Sequence, residues 1–381
     1  MPSPAPQFSR RIADLHPSPI REILARVQEP GMISFAGGLP AEESFPDFAG
    51  DFPREAMQYG PSEGEPELRA QIGRELRDLG LACDDEQVLI LSGSQQGIDL
   101  VAKLFIDGET PVAVESPTYL AALQAFRFFG ARFLPYRADQ LIRLEDAGAE
   151  AAFTYVIPTF QNPTGHCYSR EERRAFATIC DQNGLPVFED DPYRDLVFGP
   201  CDRTPICAHL RQAPWIYQGS FSKSLAPGLR LGYLAASREL LPFLVRLKQA
   251  ADLHSNRLSQ ALVLRQLQHP GRAARMAGLA DRYRTKRDRF AASLNRHFAD
   301  LADWQVPQGG LFFWLRLRRQ TDTRLLLEKA LAAGVAFMPG ESFYPIGDTA
   351  EPSLRLNFSF ASPDETERGL ETLAAIVRSG V

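Results

Sequence analysis

The chain carries only five lysines, at positions 103, 223, 248, 286 and 329, among 42 basic residues. Arginine cannot replace lysine where a neutral amine is needed, because guanidinium keeps its charge. Each lysine therefore has to be placed. Lys103, Lys248, Lys286 and Lys329 fall on helical patterns with polar neighbours and read as solvated helix faces. Lys223 differs. It follows the apolar run Trp215-Ile-Tyr-Gln-Gly in the loop Ser220-Phe-Ser-Lys-Ser-Leu-Ala-Pro-Gly-Leu-Arg230. No glycine precedes it at the spacing of a phosphate-binding P-loop. A lysine at the mouth of a buried sheet loses its proton through desolvation and can attack a carbonyl carbon. An ordinary surface lysine is the plainer alternative.

Three more segments carry polar chemistry at the ends of apolar runs. In Val187-Phe-Glu-Asp190-Asp-Pro-Tyr193 an acid stands where a strand stops, and ligands of α/β sheets gather at such carboxyl ends. A turn or helix cap accounts for it equally. In Leu91-Ser-Gly-Ser94-Gln95-Gln-Gly97 a strand, a tight turn and a helix start follow each other, and helix-start amides with Ser and Gln side chains suit an anion. An ordinary capped helix has the same pattern. Gln161-Asn162-Pro-Thr-Gly165 is the third, and it reads as a turn.

The elements that must position these residues show in the apolar pattern. Candidate strands are 87–91, 111–115, 132–136, 152–157, 186–189, 215–219 and 231–235. Most are near-continuous apolar runs, as expected of strands covered on both faces. Helices fit between them. Ser169 with Glu172 predicts a capping box before Ala175, Phe176, Ile179 and Cys180, and Asn183-Gly184 predicts the helix end. These features predict an α/β sheet with helices on both sides. The flanks read as a smaller α+β unit. Ser18-Pro19 opens a short helix, an arginine-rich helix spans about 271–297, and strands at 311–317 and 354–358 alternate with helices from Thr323 and Asp364.

Composition narrows the class. With 44 % apolar and 23 % charged residues, the chain of 381 residues is an ordinary globular protein. A net charge of −5 argues against a nucleic-acid or membrane-surface partner, and no apolar run is long enough for a bilayer. The N-terminus has no hydrophobic signal core. Five cysteines without a CxxC pair read as reduced thiols in a cytoplasmic protein. The six histidines have no metal-ligand spacing, so no metal is expected, and His166 reads as a loop residue. Gly309-Gly310 reads as a hairpin turn or a close approach to a ligand.

Taken jointly, Tyr59-Gly-Pro-Ser-Glu-Gly64, Gly93-Ser-Gln-Gln-Gly97, Asn162-Pro-Thr-Gly165, Asp190-Asp-Pro-Tyr193 and Ser220-Phe-Ser-Lys223 with Arg230 resemble the fold-type I pyridoxal-phosphate enzymes, specifically the class I/II aminotransferases. Ser18-Pro-Ile-Arg21-Glu-Ile-Leu with Ile33-Ser-Phe-Ala-Gly-Gly38-Leu-Pro is similar to the 2-aminoadipate/kynurenine aminotransferase branch. The resemblance runs from about Ser18 to the C-terminus. It implies a large domain with a mostly parallel seven-stranded sheet, residues 46–275, and a small α+β domain built from both chain ends, residues 276–381 with the segment 1–45.

The resemblance also implies roles. Lys223 would bind pyridoxal 5′-phosphate as a Schiff base and later shuttle a proton. Asp190 would keep the pyridine nitrogen protonated. Ser94, Gln95, Ser220, Ser222 and Arg230 would hold the phosphate, with Arg230 supplying a charged fork. Tyr119 would stack on the ring, unless it is a core or interface tyrosine. Asn162 and Tyr193 would hydrogen-bond the ring's 3′-oxygen. Tyr59 would reach the phosphate of a neighbouring subunit, making the unit a homodimer. Arg355 would hold the substrate α-carboxylate, unless it is a structural ion pair. Arg21, Gly38 and Leu39 would border the substrate side chain, with Arg21 meeting a distal carboxylate. Phe35, Phe45 and Tyr344 are further candidates for that pocket.

Fold does not set reaction. The first expectation is transamination from an L-amino acid, of the 2-aminoadipate or glutamate kind with aromatic or aliphatic ones tolerated, to a 2-oxo acid such as 2-oxoglutarate. A lyase or synthase on the same fold is the second. A regulator with an aminotransferase-like domain is the third, and it needs a DNA-binding domain ahead of a resemblance that already begins near Ser18.

Overall fold

The computed structural model describes residues 11–12, 23, 26–27, 29–48, 53–138 and 141–380. After the short strand β1 (Ile33–Ser34) the chain builds seven strands: β2 (Val88–Leu91), β3 (Pro111–Glu115), β4 (Arg132–Tyr136), β5 (Phe153–Val156), β6 (Val187–Asp190), β7 (Trp215–Ser220) and β8 (Gly232–Ala236). They form one sheet in the order β2-β8-β7-β6-β5-β3-β4. Only β8 runs antiparallel to its neighbours. Strand direction is invisible in the apolar pattern of 231–235.

Both faces of this sheet are covered, which is why its strands are apolar throughout. Val88 and Ile90 of β2 enter one core with Leu68, Ile72 and Phe176, while Leu89 and Leu91 enter another with Ile98, Val101 and Phe126. Each fully buried side chain of this size is worth roughly 1.5–3 kcal/mol. The helix Arg170–Asn183 starts as its sequence predicts. The Ser169 hydroxyl accepts from Glu172 N at 3.2 Å, and Glu172 Oε2 accepts from Ser169 N at 2.6 Å. Gly184 ends it with φ 60°, in the left-handed region that suits glycine. Its inward face differs from the prediction. Ala175 is exposed, and Arg173 is buried beside Phe176, Ala177 and Cys180. The Arg173 guanidinium is tolerated there because it donates to the carbonyls of Tyr168, Pro158 and Thr204 at 3.0, 2.9 and 3.1 Å. These bonds fasten the loop that follows β5.

The remaining strands are β9 (Ala302–Asp303), β10 (Phe312–Leu317), β11 (Val335–Ala336), β12 (Met338–Pro339) and β13 (Ser353–Asn357). A second, antiparallel sheet has the order β12-β13-β10-β9, and β1 pairs in parallel with β11. Helices Arg272–His297, Thr323–Ala332 and Pro363–Ser379 pack on these strands. Asn357 N donates to Phe35 O at 2.8 Å, tying the N-terminal segment to β13. Phe35 is completely buried and edge-on to Phe290 at 5.4 Å. It is a core residue, correcting its reading as a pocket residue, because β1 carries it under the helices. Gly309 and Gly310 serve packing. A Cβ on Gly309 would stand 2.2 Å from the Phe160 ring, so packing against that ring requires the glycine. No helix among the described residues is long and apolar enough to cross a membrane.

Candidate active site

The C-terminal ends of β5, β6 and β7 lie side by side, and Asp190 is the last residue of the middle strand. Its neighbours are set by sheet register. Gln218 of β7 donates from Nε2 to Asp190 Oδ1 at 2.9 Å, and Tyr155 of β5 donates from its hydroxyl to Oδ2 at 2.8 Å. Burial pushes the Asp190 carboxyl up to about 6, against the pull of these two donors. Asp191 beside it accepts from the Tyr217 hydroxyl at 2.9 Å, which in turn accepts from Arg194 at 3.0 Å. Neither Tyr155 nor Gln218 was anticipated from sequence. The signal was available only as their placement near the ends of neighbouring candidate strands.

The loop after β7 brings Lys223 to the same end of the sheet. Its amine donates to the Gly38 carbonyl at 2.8 Å. Burial lowers its pKa to about 8, helped by the repulsion of Arg355 and Arg230. A Cβ on Gly38 would stand 3.2 Å from Phe312 and 3.8 Å from Lys223 Nζ, so the glycine lets the N-terminal segment close over the lysine.

An anion cradle lies beside it. Gly93, with φ 86°, turns the chain from β2 into the helix Ser94–Phe105. A Cβ there would come within 2.7 Å of Arg230 Nη2, and one on Gly232 within 2.9 Å of Ser94 N. Bare backbone is thus required where the guanidinium meets the helix start. Arg230 itself adopts φ 49°. Ser222 N donates to Ser220 Oγ at 3.2 Å at the end of β7. The donors available to an anion are the first amides of a twelve-residue helix, with Ser94 and Gln95, the Ser220 and Ser222 hydroxyls and Arg230.

Behind the cradle stands Lys248, which is buried and not on a solvated helix face as its sequence neighbours suggest. Its amine donates to Gln96 Oε1 at 3.0 Å, Asp252 Oδ1 at 2.8 Å and Ser255 Oγ at 3.0 Å. Three acceptors, one of them the Asp252 carboxylate, offset part of its desolvation. The other three helical lysines all have partners near the surface: Lys103 pairs with Asp99, Lys286 with Glu43, and Lys329 donates to Gly380 O.

Opposite Lys223, Arg355 reaches in from β13. It is buried between two rings, 4.2 Å from the centre of Phe312 and 4.9 Å from that of Phe343. Nη1 donates to Asn162 Oδ1 at 2.9 Å and Nη2 to Ala36 O at 2.6 Å. Both acceptors are neutral, which counts against a structural ion pair. Its Nε is buried with no partner among the described residues. Burial lowers the guanidinium to about 10, while Tyr193 and Tyr119 pull the other way. Asn162 Nδ2 donates to the Tyr193 hydroxyl at 3.4 Å, so Arg355, Asn162 and Tyr193 form one chain. Burial raises the Tyr193 phenol.

Of the other predicted residues, Tyr119 stays with the site and the rest spread out. Tyr119 stands at the start of the helix Leu120–Phe128, where burial and the charge of Asp190 raise its phenol. Tyr59 is 75 % exposed. Its ring lies edge-on to His254 at 5.7 Å, and Arg257 donates to its carbonyl at 3.3 Å. Leu39 O accepts from Ser359 Oγ at 2.6 Å. Tyr344 lines a separate cavity of about 350 Å³ with Ser116 and Arg137. Phe45 is on the surface. Arg21 lies outside the described residues.

The chain matches the family of class I and II aminotransferases over residues 41–373. It is 37 % identical to the 2-aminoadipate transaminase of Thermus thermophilus, over 97 % of this chain and 96 % of that one. It is 34 % identical to aromatic-amino-acid aminotransferase 1 of Thermococcus litoralis, over 97 % of this chain and 94 % of that one. Its fold superposes with TM-score 0.87 on the crystal structure of the Thermus thermophilus α-aminoadipate aminotransferase complexed with N-(5′-phosphopyridoxyl)-L-leucine, at 35 % identity over 98 % and 97 % of the two chains.

Proposed function

The chain belongs to the class I and II aminotransferases, and from that premise we propose that it moves the amino group of an acidic L-amino acid, of the 2-aminoadipate or glutamate kind, to a 2-oxo acid such as 2-oxoglutarate. It is a pyridoxal-phosphate-dependent transaminase, and its substrates are amino and oxo acids. The residues present fit the cofactor. The cradle that a Cβ on Gly93 or Gly232 would fill, and the cation beside it, suit a phosphate dianion. When bound, pyridoxal phosphate supplies an aldehyde carbon for the amino group and a protonated ring that draws off the charge left on Cα.

The protein's own groups then have distinct tasks. Lys223, with its pKa at about 8, has a substantial neutral fraction near neutrality and can take the Cα proton and return it. Asp190, oriented by Tyr155 and Gln218, would meet the ring nitrogen as a carboxylate and keep it protonated. Ser94, Gln95, Ser220, Ser222 and Arg230 would hold the phosphate, and Tyr119 would cover the ring. Tyr193 and Asn162 would hydrogen-bond the ring's 3′-oxygen. Arg355 carries the reading furthest, because its buried, unpartnered Nε gives a carboxylate somewhere to bind. Gly38 leaves room beside it. Arg21 meets the distal carboxylate in this reading.

The active unit is a homodimer, with Tyr59 reaching the phosphate of the second copy. Its exposure, with that of Met57 at 70 % and Leu253 at 51 %, supports that role. Five free thiols support a cytoplasmic setting.

The test is the visible spectrum. A yellow protein that bleaches on adding L-2-aminoadipate and regains colour with 2-oxoglutarate completes both half-reactions. Colour without bleaching removes the acidic donor, and no colour after adding the cofactor removes Lys223 from its role. Arg21→Ala should lower the rate on 2-aminoadipate relative to leucine, and an unchanged ratio would discard its assignment.

A further inference from the structure

Away from Lys223, residues 164–171, 200–202 and 305–308 enclose a cavity of about 790 Å³. Neither Lys223, Asp190 nor Arg355 lines it. Two of the five cysteines do, Cys167 and Cys201. Cys167 Sγ lies 3.9 Å from the carbonyl oxygen of Asp202, the residue after Cys201. Both are half-buried, while Cys83, Cys180 and Cys207 are buried.

The surroundings distinguish this pair chemically. Arg173 brings Nη2 to 3.8 Å from Cys167 Sγ. The neighbouring Cys201 thiol and the nearby guanidinium hold the Cys167 thiol below the usual range, against its burial. The three remaining thiols move the other way, Cys83 up to about 11, because burial disfavours their charged form. The thiolate is the nucleophilic form, so reactivity concentrates at Cys167. The segments are also held. Gln161 N donates to His166 O at 2.8 Å, and Phe198 N and Gly199 N donate to Gln308 O at 2.8 and 3.0 Å. The thiols therefore lie in a supported arrangement, at an opening where a small solute can enter.

We propose that Cys167 and Cys201 are a modification site that closes to an intramolecular disulfide on reaction with a hydroperoxide. The Cys167 thiolate attacks one oxygen of hydrogen peroxide, the O–O bond breaks, and hydroxide leaves, giving a sulfenic acid. The Cys201 sulfur then attacks the Cys167 sulfur, the S–O bond breaks, and water leaves as the S–S bond forms. The proton released by Cys167 neutralises the hydroxide. Two thiols lose two electrons in total, and one peroxide becomes two waters. The new bond joins the segment that follows Asn162 to the loop that follows Tyr193. This inference does not depend on the transamination reading.

The experiment treats the purified holoenzyme with stoichiometric hydrogen peroxide, counts thiols after denaturation and maps the peptides. The expected result is loss of two of the five thiols, a linked peptide pair carrying residues 167 and 201, and recovery of both thiols with dithiothreitol. Cys167→Ser and Cys201→Ser should each form no such link, whereas Cys83→Ser should form it as the parent does. Retention of all thiols, a link between another pair, or conversion to sulfinic or sulfonic acid without a link would overturn the proposal. Peptide mapping of the unaltered chain decides the matter even if a serine variant fails to fold.

Discussion

The Lys223 amine and the Gly38 carbonyl oxygen are 2.8 Å apart although 185 positions separate them in the chain. One belongs to a loop at the end of the large sheet, the other to the N-terminal segment that β1 fastens to β11. Contact between them removes the lysine from water. That desolvation is the largest cause of its lowered pKa. The chemistry proposed for Lys223 thus depends on a segment far from it in sequence.

The pH dependence of cofactor uptake tests this. Only a neutral amine attacks an aldehyde. With Lys223 at about 8, the rate of pyridoxal-phosphate uptake by cofactor-free protein should climb up to about pH 8 and level off above it. A free lysine would keep the rate climbing to about pH 10.4. Lys223→Ala should lower turnover by roughly 10³-fold or more. Rapid-mixing absorbance measures the first effect and steady-state assay the second.

Arg355 offers a second measurement. Arg355→Ala should lower kcat/KM for the amino donor by at least about 30-fold, the lower end of what truncating a buried charge partner costs. Phe343→Leu removes one of its two ring contacts and should cost a smaller amount, roughly 0.5–2 kcal/mol. Equal losses on removing the charge and on removing the ring would contradict the assignment.

Tyr155→Phe deletes one donor to Asp190 and leaves the ring. A hydrogen bond to a charged group is worth roughly 1.5–3 kcal/mol, or about one to two pH units. The carboxyl, already up at about 6, should ionise only at higher pH. In cofactor-free protein the Asp190 titration, followed by NMR of the carboxyl carbon, should move upward accordingly. An unmoved titration would mean that the Tyr155 bond does nothing for the ionised form.

Two buried glutamates join Asp190 in a different pH dependence, that of the cofactor-free chain's stability. Burial pushes Glu115 and Glu189 from 4.5 up to about 7. In that window the folded chain holds protons that the unfolded chain releases. Their stabilising contribution is complete below about pH 4 and disappears as pH rises through about 7. Urea midpoints of cofactor-free protein should therefore carry a term that falls between about pH 5 and 7. Glu115→Gln should flatten that slope, and an identical slope would show that Glu115 does not titrate there.

Tyr59 is a probe of the proposed homodimer. A side chain 75 % exposed contributes little to folding. Tyr59→Phe should leave the thermal midpoint of cofactor-free protein unchanged while weakening cofactor retention on dilution. Unchanged retention in a confirmed dimer would remove Tyr59 from the phosphate site.

Much of the fold was readable because it rests on local signals. The strands at 111–115 and 132–136, the Ser169–Glu172 cap and the Gly184 stop follow from apolar runs and capping chemistry within a few residues. The burial of Lys248 was not readable. Its neighbours in sequence are polar, and the groups that accept its hydrogen bonds include Gln96, 152 positions away.

By itself, the sequence determined which residues have the chemistry for a site and near which strand ends they fall. Lysines are so few that Lys223 stood out, and Asp190, Asn162 and Arg230 each sit beside a turn signal. Tertiary structure alone decided what surrounds them. Tyr155 and Gln218 reach Asp190 because β5, β6 and β7 lie side by side. Phe35 became core, not pocket, and Cys167 and Cys201 came to line one cavity. Hydrophobic and turn patterns act over a few residues. Neighbours across a sheet are set by strand order and register, which depend on how the whole chain packs at once.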